Sequence, residues 1–132
     1  MYSKKVLDIF KQPKNVGLIK NASGTGQVGN MKCGDIMKIY LKIEDEKVID
    51  AKFKTFGCVA AIVSTDIACD KIKGKTIEEA LQISNEDILK EMGEVPTNKI
   101  HCSILAKEAI EEAVKDYRKK QEKLEKLENK NN

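Results

Sequence analysis

Three short segments of the chain carry side chains suited to holding a metal. Each contains a cysteine, and the candidate donors are Cys33, Asp35, Cys58, His101 and Cys102. Thiolate and imidazole ligands suit both zinc and iron–sulfur clusters. The spacing contains no Cys-x-x-Cys pair, which argues against a zinc knuckle or ribbon. Five donors around four coordination positions would let one ligand exchange while the others hold, as a site that releases its cargo requires.

A predicted antiparallel hairpin positions two of these segments. Residues 36–43 and 48–56 alternate between apolar and polar side chains, and the polar residues 44–47 join them. This period of two is typical of half-buried strands. In the second strand we expect Ile49 and Phe53 to face the core.

The hairpin predicts that Cys33 and Cys58 lie at the same end of the sheet. One cysteine precedes the first strand and the other follows the second, and antiparallel pairing brings those ends together. His101 and Cys102 stand where a long helix is predicted to begin. Because a helix N-terminus stabilises a thiolate, we expect Cys102 to be the most thiolate-like cysteine.

The remaining elements are helical. We predict helices at about 2–12, from just after Cys58 to about 73, at 77–82, at 85–92 and from about 101 onward. Capping-box patterns beginning at Thr76 and Ser84 mark the two short helices. The inward face of the long helix is predicted to contain Ala106, Ile110, Ala113 and Tyr117. Strands grouped before helices indicate an α+β fold, with helices on one face of a small antiparallel sheet.

The segment 24–29, GTGQVG, matches the glycine pattern of dinucleotide-binding loops. Such a loop needs a buried parallel strand before the glycines and a helix directly after them. Here residues 14–35 are predicted to be a loop with one short strand, and a hairpin strand follows. We therefore reject the nucleotide interpretation and expect the glycines to let a loop turn tightly and hold Cys33.

Composition narrows the class of protein. The chain has 132 residues, the size of one domain with tails, and its 24 basic and 21 acidic residues leave a net charge of +3. This small excess and an aromatic content of 5% argue against nucleic-acid binding. No stretch approaches the roughly 20 apolar residues that span a bilayer. The N-terminal residues lack a secretory pattern, so a cytoplasmic protein without a disulfide framework is expected.

Structural roles for the same residues stay open at this stage. Cys69 falls on the apolar face of its predicted helix and is interpreted as a core thiol. Asp35 could cap a loop, and His101 could be a helix-start residue without a ligand role. Cys33, Cys58 and Cys102 could all be packing residues.

Four segments together resemble a known family. They are SGTGQVGNMKCGDIMKIYLKI (23–43), AKFKTFGCVAAI (51–62), KGKTIEEA (73–80) and KIHCSILAKEAIEEAVKDY (99–117). The set resembles the iron–sulfur cluster assembly scaffolds of the IscU and NifU N-terminal type over about residues 3–118. The resemblance implies an α+β fold with a three-stranded antiparallel sheet. A scaffold domain is therefore expected at 1–118, and the nearly all-charged residues that follow predict a helical extension at 119–132.

The resemblance further implies a non-enzymatic scaffold and its site. Cys33, Cys58 and Cys102 would hold a transient 2Fe-2S cluster, with Asp35 linked to cluster lability and His101 to ligation in some states. Cys102 would accept persulfide sulfur from a cysteine desulfurase, and iron would complete the cluster. The alternative is a zinc-bound sulfur acceptor of the sulfurtransferase type, which uses the same residues.

The resemblance also implies partners. These are the cysteine desulfurase, recipient apo-proteins and, as a further candidate, a ferredoxin-type electron donor. The chain would be a monomer or a homodimer, with zinc as a candidate occupant of the apo form. Many bacterial members carry Leu-Pro-Pro-Val-Lys before the histidine, where a dedicated Hsp70-type chaperone binds. Only Pro96 and Lys99 match that motif here, which weakens the case for dependence on the chaperone.

Overall fold

The computed structural model describes residues 2–30 and 34–130. Its elements are α1 (Lys4–Lys11), β1 (Gly24–Asn30), β2 (Asp35–Glu44), β3 (Lys47–Phe56), α2 (Val59–Ile72), α3 (Ile77–Gln82), α4 (Asn85–Met92), a 3₁₀ turn (Thr97–Lys99) and α5 (His101–Lys130). The strands form one antiparallel sheet in the order β1-β2-β3. This confirms the predicted α+β fold. Within these residues no helix is long and apolar enough to cross a membrane.

The β2–β3 hairpin confirms the alternation read from the sequence, with one correction. Ile39 pairs with Phe53, and both side chains are buried. Ile49, however, is 46% exposed, whereas Val48 is fully buried. A register shift between Lys42 and Ile43 places an extra residue in β3 and reverses its alternation toward the turn. A bulge of this kind depends on strand pairing and has no local sequence signal here.

The glycine-rich segment is a strand and not the tight loop expected from the sequence. Gly24 and Gly26 lie in β1, where α5 crosses the sheet. A Cβ on Gly26 would collide with the backbone of Ala109 and Ala113, and one on Gly24 would collide with the carbonyl of Ala113. The glycines therefore let a helix approach the strand backbone closely.

Helix α2 forms the centre of the molecule. It contacts β3 and β2 as well as α1, α4 and α5. Ten of its fourteen residues are buried, so its buried surface extends around most of the helix and is not the single face predicted for it. Because α2 begins at Val59, directly after Cys58, the core helix holds one end of the candidate site rigidly.

Both short helices have the predicted start signals. Thr76 and Glu79 form a reciprocal capping box at α3. Ser84 and Asp87 do the same at α4. The predicted inward residues of α5 are likewise buried, whereas residues 118–128 of the same helix are all exposed.

A buried polar cluster ties the N-terminal segment to α2. The Asn15 backbone N–H donates to the Asp66 carboxylate over 2.9 Å, and its amide donates to the Asp66 carbonyl over 3.1 Å. The same amide donates to Asp70 over 3.0 Å. Burial raises the pKa of Asp66, and the bonds from Asn15 oppose that rise.

Candidate metal centre

Three elements meet at one end of the sheet and each contributes a donor. Asp35 is the first residue of β2, Cys58 is the N-cap of α2, and Cys102 lies in the first turn of α5. The hairpin explains the first pair, since Ile36 pairs with Phe56 and thereby aligns the start of β2 with the end of β3. The packing of α5 against β1 and α2 brings Cys102 to them.

The donor atoms are close enough to share one ion. One ligand atom from each of Asp35, Cys58 and Cys102 lies within 4.8 Å of the other two. The two sulfurs are 4.0 Å apart, and the Cys102 Sγ is also 4.0 Å from Asp35 Oδ2. Two thiols and a carboxylate at this separation match the donor types used for zinc and iron–sulfur centres.

Gly57 allows the aspartate to reach this position. The Cys58 backbone N–H donates to Asp35 Oδ1 over 3.4 Å. Gly57 has φ of +156°, and a Cβ on it would collide with that same carboxylate oxygen. Asp35 is only 3% exposed, so its carboxylate lies within the cluster of donors and not at the rim.

His101 stands beside the three donors. Its Nδ1 is 3.0 Å from the Asn98 carbonyl, and because a carbonyl only accepts, Nδ1 carries a proton. Its Nε2 lies 3.3 Å from Asp35 Oδ2 and 3.9 Å from the Cys102 Sγ. With Nδ1 bonded to the Asn98 carbonyl, Nε2 is the ring nitrogen that faces the site, which is the orientation a ligating histidine needs.

The expectation that Cys102 is the most thiolate-like cysteine is wrong for the cluster-free protein. The side chain is fully buried. Burial, together with the charges of Cys58 and Asp35, raises the pKa of Cys102 to about 12. The helix N-terminus favours the thiolate by only about 0.3–1 kcal/mol. Loss of water and two nearby negative groups therefore outweigh it.

Sequence reasoning missed two further residues beside the thiols. The charge of Cys58 raises the pKa of Lys99, which places a lysine where it stabilises thiolates. Burial, followed by the charge of Cys58, raises the pKa of Tyr2. The sequence pattern indicates Lys99 only as part of the chaperone motif and Tyr2 only as part of the first predicted helix. Their proximity depends on the docking of α1 and of the 95–100 segment.

The predictions for Cys33 and Cys69 differ in what the structure says about them. Cys33 lies outside the described residues, so its predicted position beside Cys58 stays a prediction. Cys69 is fully buried in α2, as the apolar pattern predicted, and burial raises its pKa far above the usual range for a thiol.

Alkylation of the native apo-protein should reflect these differences. In a Cys33→Ser background we expect iodoacetamide to modify Cys58 first, because it is only half-buried, and Cys102 much more slowly. Below its raised pKa the rate at Cys102 should climb about tenfold per pH unit, as its thiolate fraction does. Cys69 should react only after unfolding. Peptide mass mapping at pH 7, 8 and 9 measures all three, and equal rates at Cys58 and Cys102 would contradict the buried site.

Comparison with known proteins agrees with this arrangement. Residues 1–124 match the NifU-like N terminal domain family. The chain belongs to this family. One NifU-like relative is the iron–sulfur cluster assembly scaffold protein IscU 1 of Archaeoglobus fulgidus, 49% identical over 96% of this chain and 83% of the relative. Another is the scaffold protein IscU of Escherichia coli K12, 48% identical over 92% of this chain and 97% of the relative.

Solved structures show the same NifU-like fold. A candidate scaffold protein for the SUF system from Fervidobacterium islandicum superimposes with a TM-score of 0.69 at 27% identity. The match covers 85% of this chain and 95% of that one. A nitrogen-fixing NifU-like protein from Brucella abortus also gives 0.69, over 89% and 94% of the two chains. Its identity is 18%, so it supports the fold alone.

Proposed function

We propose that this protein is a scaffold on which 2Fe-2S clusters are assembled before transfer to recipient apo-proteins. The observation that carries the proposal is the convergence of Asp35, Cys58 and Cys102 within 4.8 Å at one end of the sheet. Membership of a family whose relatives are named scaffolds supports it. In this proposal the cluster is cargo, and it is transferred from the site as a whole cluster.

The ligand set has graded roles in this proposal. Cys33, Cys58 and Cys102 hold the cluster through thiolates, and each thiol gives up a proton when iron binds. His101 can enter or leave the coordination sphere through Nε2, which lies beside the Cys102 sulfur. Asp35 contributes charge and a hard oxygen donor that compete with the sulfur ligands, and so keeps the cluster labile.

Sulfur enters by exchange at Cys102. Its thiolate attacks the terminal sulfur of a persulfide on a cysteine desulfurase. A new S–S bond forms on Cys102, the S–S bond on the desulfurase breaks, and the desulfurase keeps its thiolate. The positive charge of Lys99 beside the site favours the attacking thiolate.

The wider role follows from the same proposal. The protein acts as a carrier and not as an enzyme, in the cytoplasm, with a cysteine desulfurase, apo-proteins and a ferredoxin-type electron donor as partners. Residues 1–118 form the scaffold domain, and 119–132 form a charged extension.

A zinc-bound sulfur acceptor is the second candidate. Zinc takes sulfur, nitrogen and carboxylate donors in tetrahedral sites, and the side chains of Cys58, Cys102, Asp35 and His101 include all three donor types. In that case the metal would be permanent, and Cys102 would exchange between zinc and sulfur.

Anaerobic reconstitution tests the two candidates. The protein would be incubated with iron, cysteine and a cysteine desulfurase, followed by visible and Mössbauer spectra and metal analysis. We expect a 2Fe-2S spectrum that moves to an apo-ferredoxin on mixing. Cys102→Ser should lose this spectrum, whereas Cys69→Ala should keep it, because Cys69 is a core thiol outside the site. Stoichiometric zinc that blocks cluster formation and stimulates desulfurase turnover would favour the second candidate.

A further inference from the structure

The sheet has an outer face that points away from the core. The side chains that alternate with the buried residues of β2 and β3 define it, and those in its middle are Lys38, Tyr40, Lys52 and Lys54. They are half-buried or exposed, and the helices pack on the opposite side. Three of these four side chains carry a positive charge, in a chain whose net charge is only +3.

The strand register places like charges together. Lys38 pairs directly with Lys54, and Lys52 pairs with Tyr40 one step along the same face. On the β1 side, the partners of Lys38 and Tyr40 are the neutral Gln27 and Thr25. Like charges directly opposite in an antiparallel pair destabilise the sheet. The isolated protein therefore carries a repulsion that an alternative residue at position 54 would remove.

Carboxylates do not neutralise this face. Across residues 2–30 and 34–130, lysines that form ion pairs lie elsewhere, for example Lys5 with Glu91 at 2.7 Å and Lys120 with Asp116 at 3.1 Å. Asp50 pairs in register with Lys42, so its charge offsets that lysine and leaves Lys38, Lys52 and Lys54 without a carboxylate opposite them. The outer face thus presents its positive charge to solvent.

One lysine is held in place by an aromatic ring. The Lys38 Nζ lies 5.3 Å from the centre of the Tyr40 ring, within the range of a cation–π contact. Such a contact orders a side chain that would otherwise lose conformational entropy on binding.

The face continues into an apolar end beside the candidate metal centre. Phe56 is 75% exposed and pairs with Ile36. Asp35 directly precedes Ile36, and Cys58 follows Phe56 by two residues. Aromatic residues are enriched at protein–protein interfaces, and here an exposed phenylalanine lies on the same face as an ordered lysine.

We propose that the outer face of the sheet, from Phe56 through Lys38 and Lys54 to Lys52, binds an acidic surface of a partner protein. Charge complementarity selects an acidic partner, and the exposed phenylalanine favours a protein, whose surface can supply an apolar contact, over a polyanion. A partner bound there would lie beside the cysteines. The inference goes beyond the scaffold function and needs no cluster, so its test uses the apo-protein.

A titration with a defined acidic probe tests the proposal. The probe is a synthetic peptide of six glutamates followed by Leu-Phe, added to ¹⁵N-labelled apo-protein at low salt. We expect amide shifts at the outer-face residues of β2 and β3 and at Phe56. K38Q/K52Q/K54Q should weaken binding about tenfold, since three surface ion pairs are lost. The matched variant K115Q/K119Q/K120Q, with the same change in charge, should bind within about twofold of wild type, because Lys115 and Lys120 are already paired.

Several results would overturn the proposal. Shifts confined to other surfaces, or equal weakening in the two triple variants, would show that the face has no special affinity. A single-stranded oligonucleotide with six phosphates provides the nucleic-acid comparison. If it bound this face at least tenfold more tightly than the peptide, the face would be a nucleic-acid-binding surface. If Phe56→Ser bound the peptide as tightly as wild type, Phe56 would make no contact with the partner. The reason for expecting a protein at this face would then be lost.

A stability measurement separates loss of binding from misfolding. Lys54→Glu should replace a repulsive pair with an attractive one opposite Lys38, and so raise the melting temperature while weakening peptide binding. A lower melting temperature for Lys54→Glu would show that Lys38 and Lys54 do not repel each other in the folded protein. Cluster assembly by K38Q/K52Q/K54Q with iron and sulfide alone reports the scaffold function separately from this binding.

Discussion

Gly26→Ala should destabilise the protein by about 1–3 kcal/mol and lower its melting temperature by roughly 5–15 °C. The added Cβ would meet backbone atoms of α5 at Ala109 and Ala113, and a helix backbone cannot rotate away as a side chain can. At a position with free space, replacing glycine by alanine would instead stabilise by about 0.4–1 kcal/mol. The sign of the effect therefore reports the close helix–strand contact directly. Thermal unfolding by circular dichroism measures it.

The neighbouring residue supplies the control. Gln27 is exposed in the same strand, so Gln27→Ala should change stability by less than about 0.5 kcal/mol. A stable Gly26→Ala protein would show that α5 does not pack on β1 as described. Since Cys102 lies in the first turn of α5, displacement of this helix should also slow cluster assembly.

Asp35→Ala should lengthen the lifetime of a reconstituted cluster about tenfold or more. The carboxylate is buried and its Oδ2 lies 4.0 Å from the Cys102 sulfur. At an effective dielectric constant of about 20, two unit charges about 4 Å apart repel by roughly 4 kcal/mol. Removing the carboxylate relieves this repulsion against the thiolates and removes a competing oxygen donor. Decay of the visible absorbance with a chelator present, under anaerobic conditions, measures the lifetime.

Asp35→Asn separates charge from hydrogen bonding. The amide oxygen can still accept from the Cys58 N–H but carries no charge. If charge causes the lability, the asparagine variant should be as long-lived as the alanine variant. A lifetime equal to or shorter than that of wild type in both variants would contradict the role proposed for Asp35.

Much of the site could be predicted from short-range patterns. Period-two alternation predicted the hairpin, and the hairpin predicted that Cys33 lies beside Cys58. Asp35, two residues after Cys33, does lie beside Cys58, whereas the position of Cys33 itself stays a prediction. Capping boxes at Thr76 and Ser84 determined the starts of two helices, since capping is satisfied within one turn. The motif resemblance then supplied the family.

Features that depend on distant contacts were decided only by the tertiary structure. GTGQVG looks like a loop by composition, and only the crossing of α5 shows why a strand there needs glycine. The bulge that exposes Ile49 arises from pairing between two strands. The pKa of Cys102 depends on how completely other elements exclude water, which its place at a helix start cannot reveal. The sequence by itself identified the candidate donors and the hairpin that brings two of their segments together. The packing of α5 brought Cys102 to Asp35 and Cys58 and decided how buried these donors are.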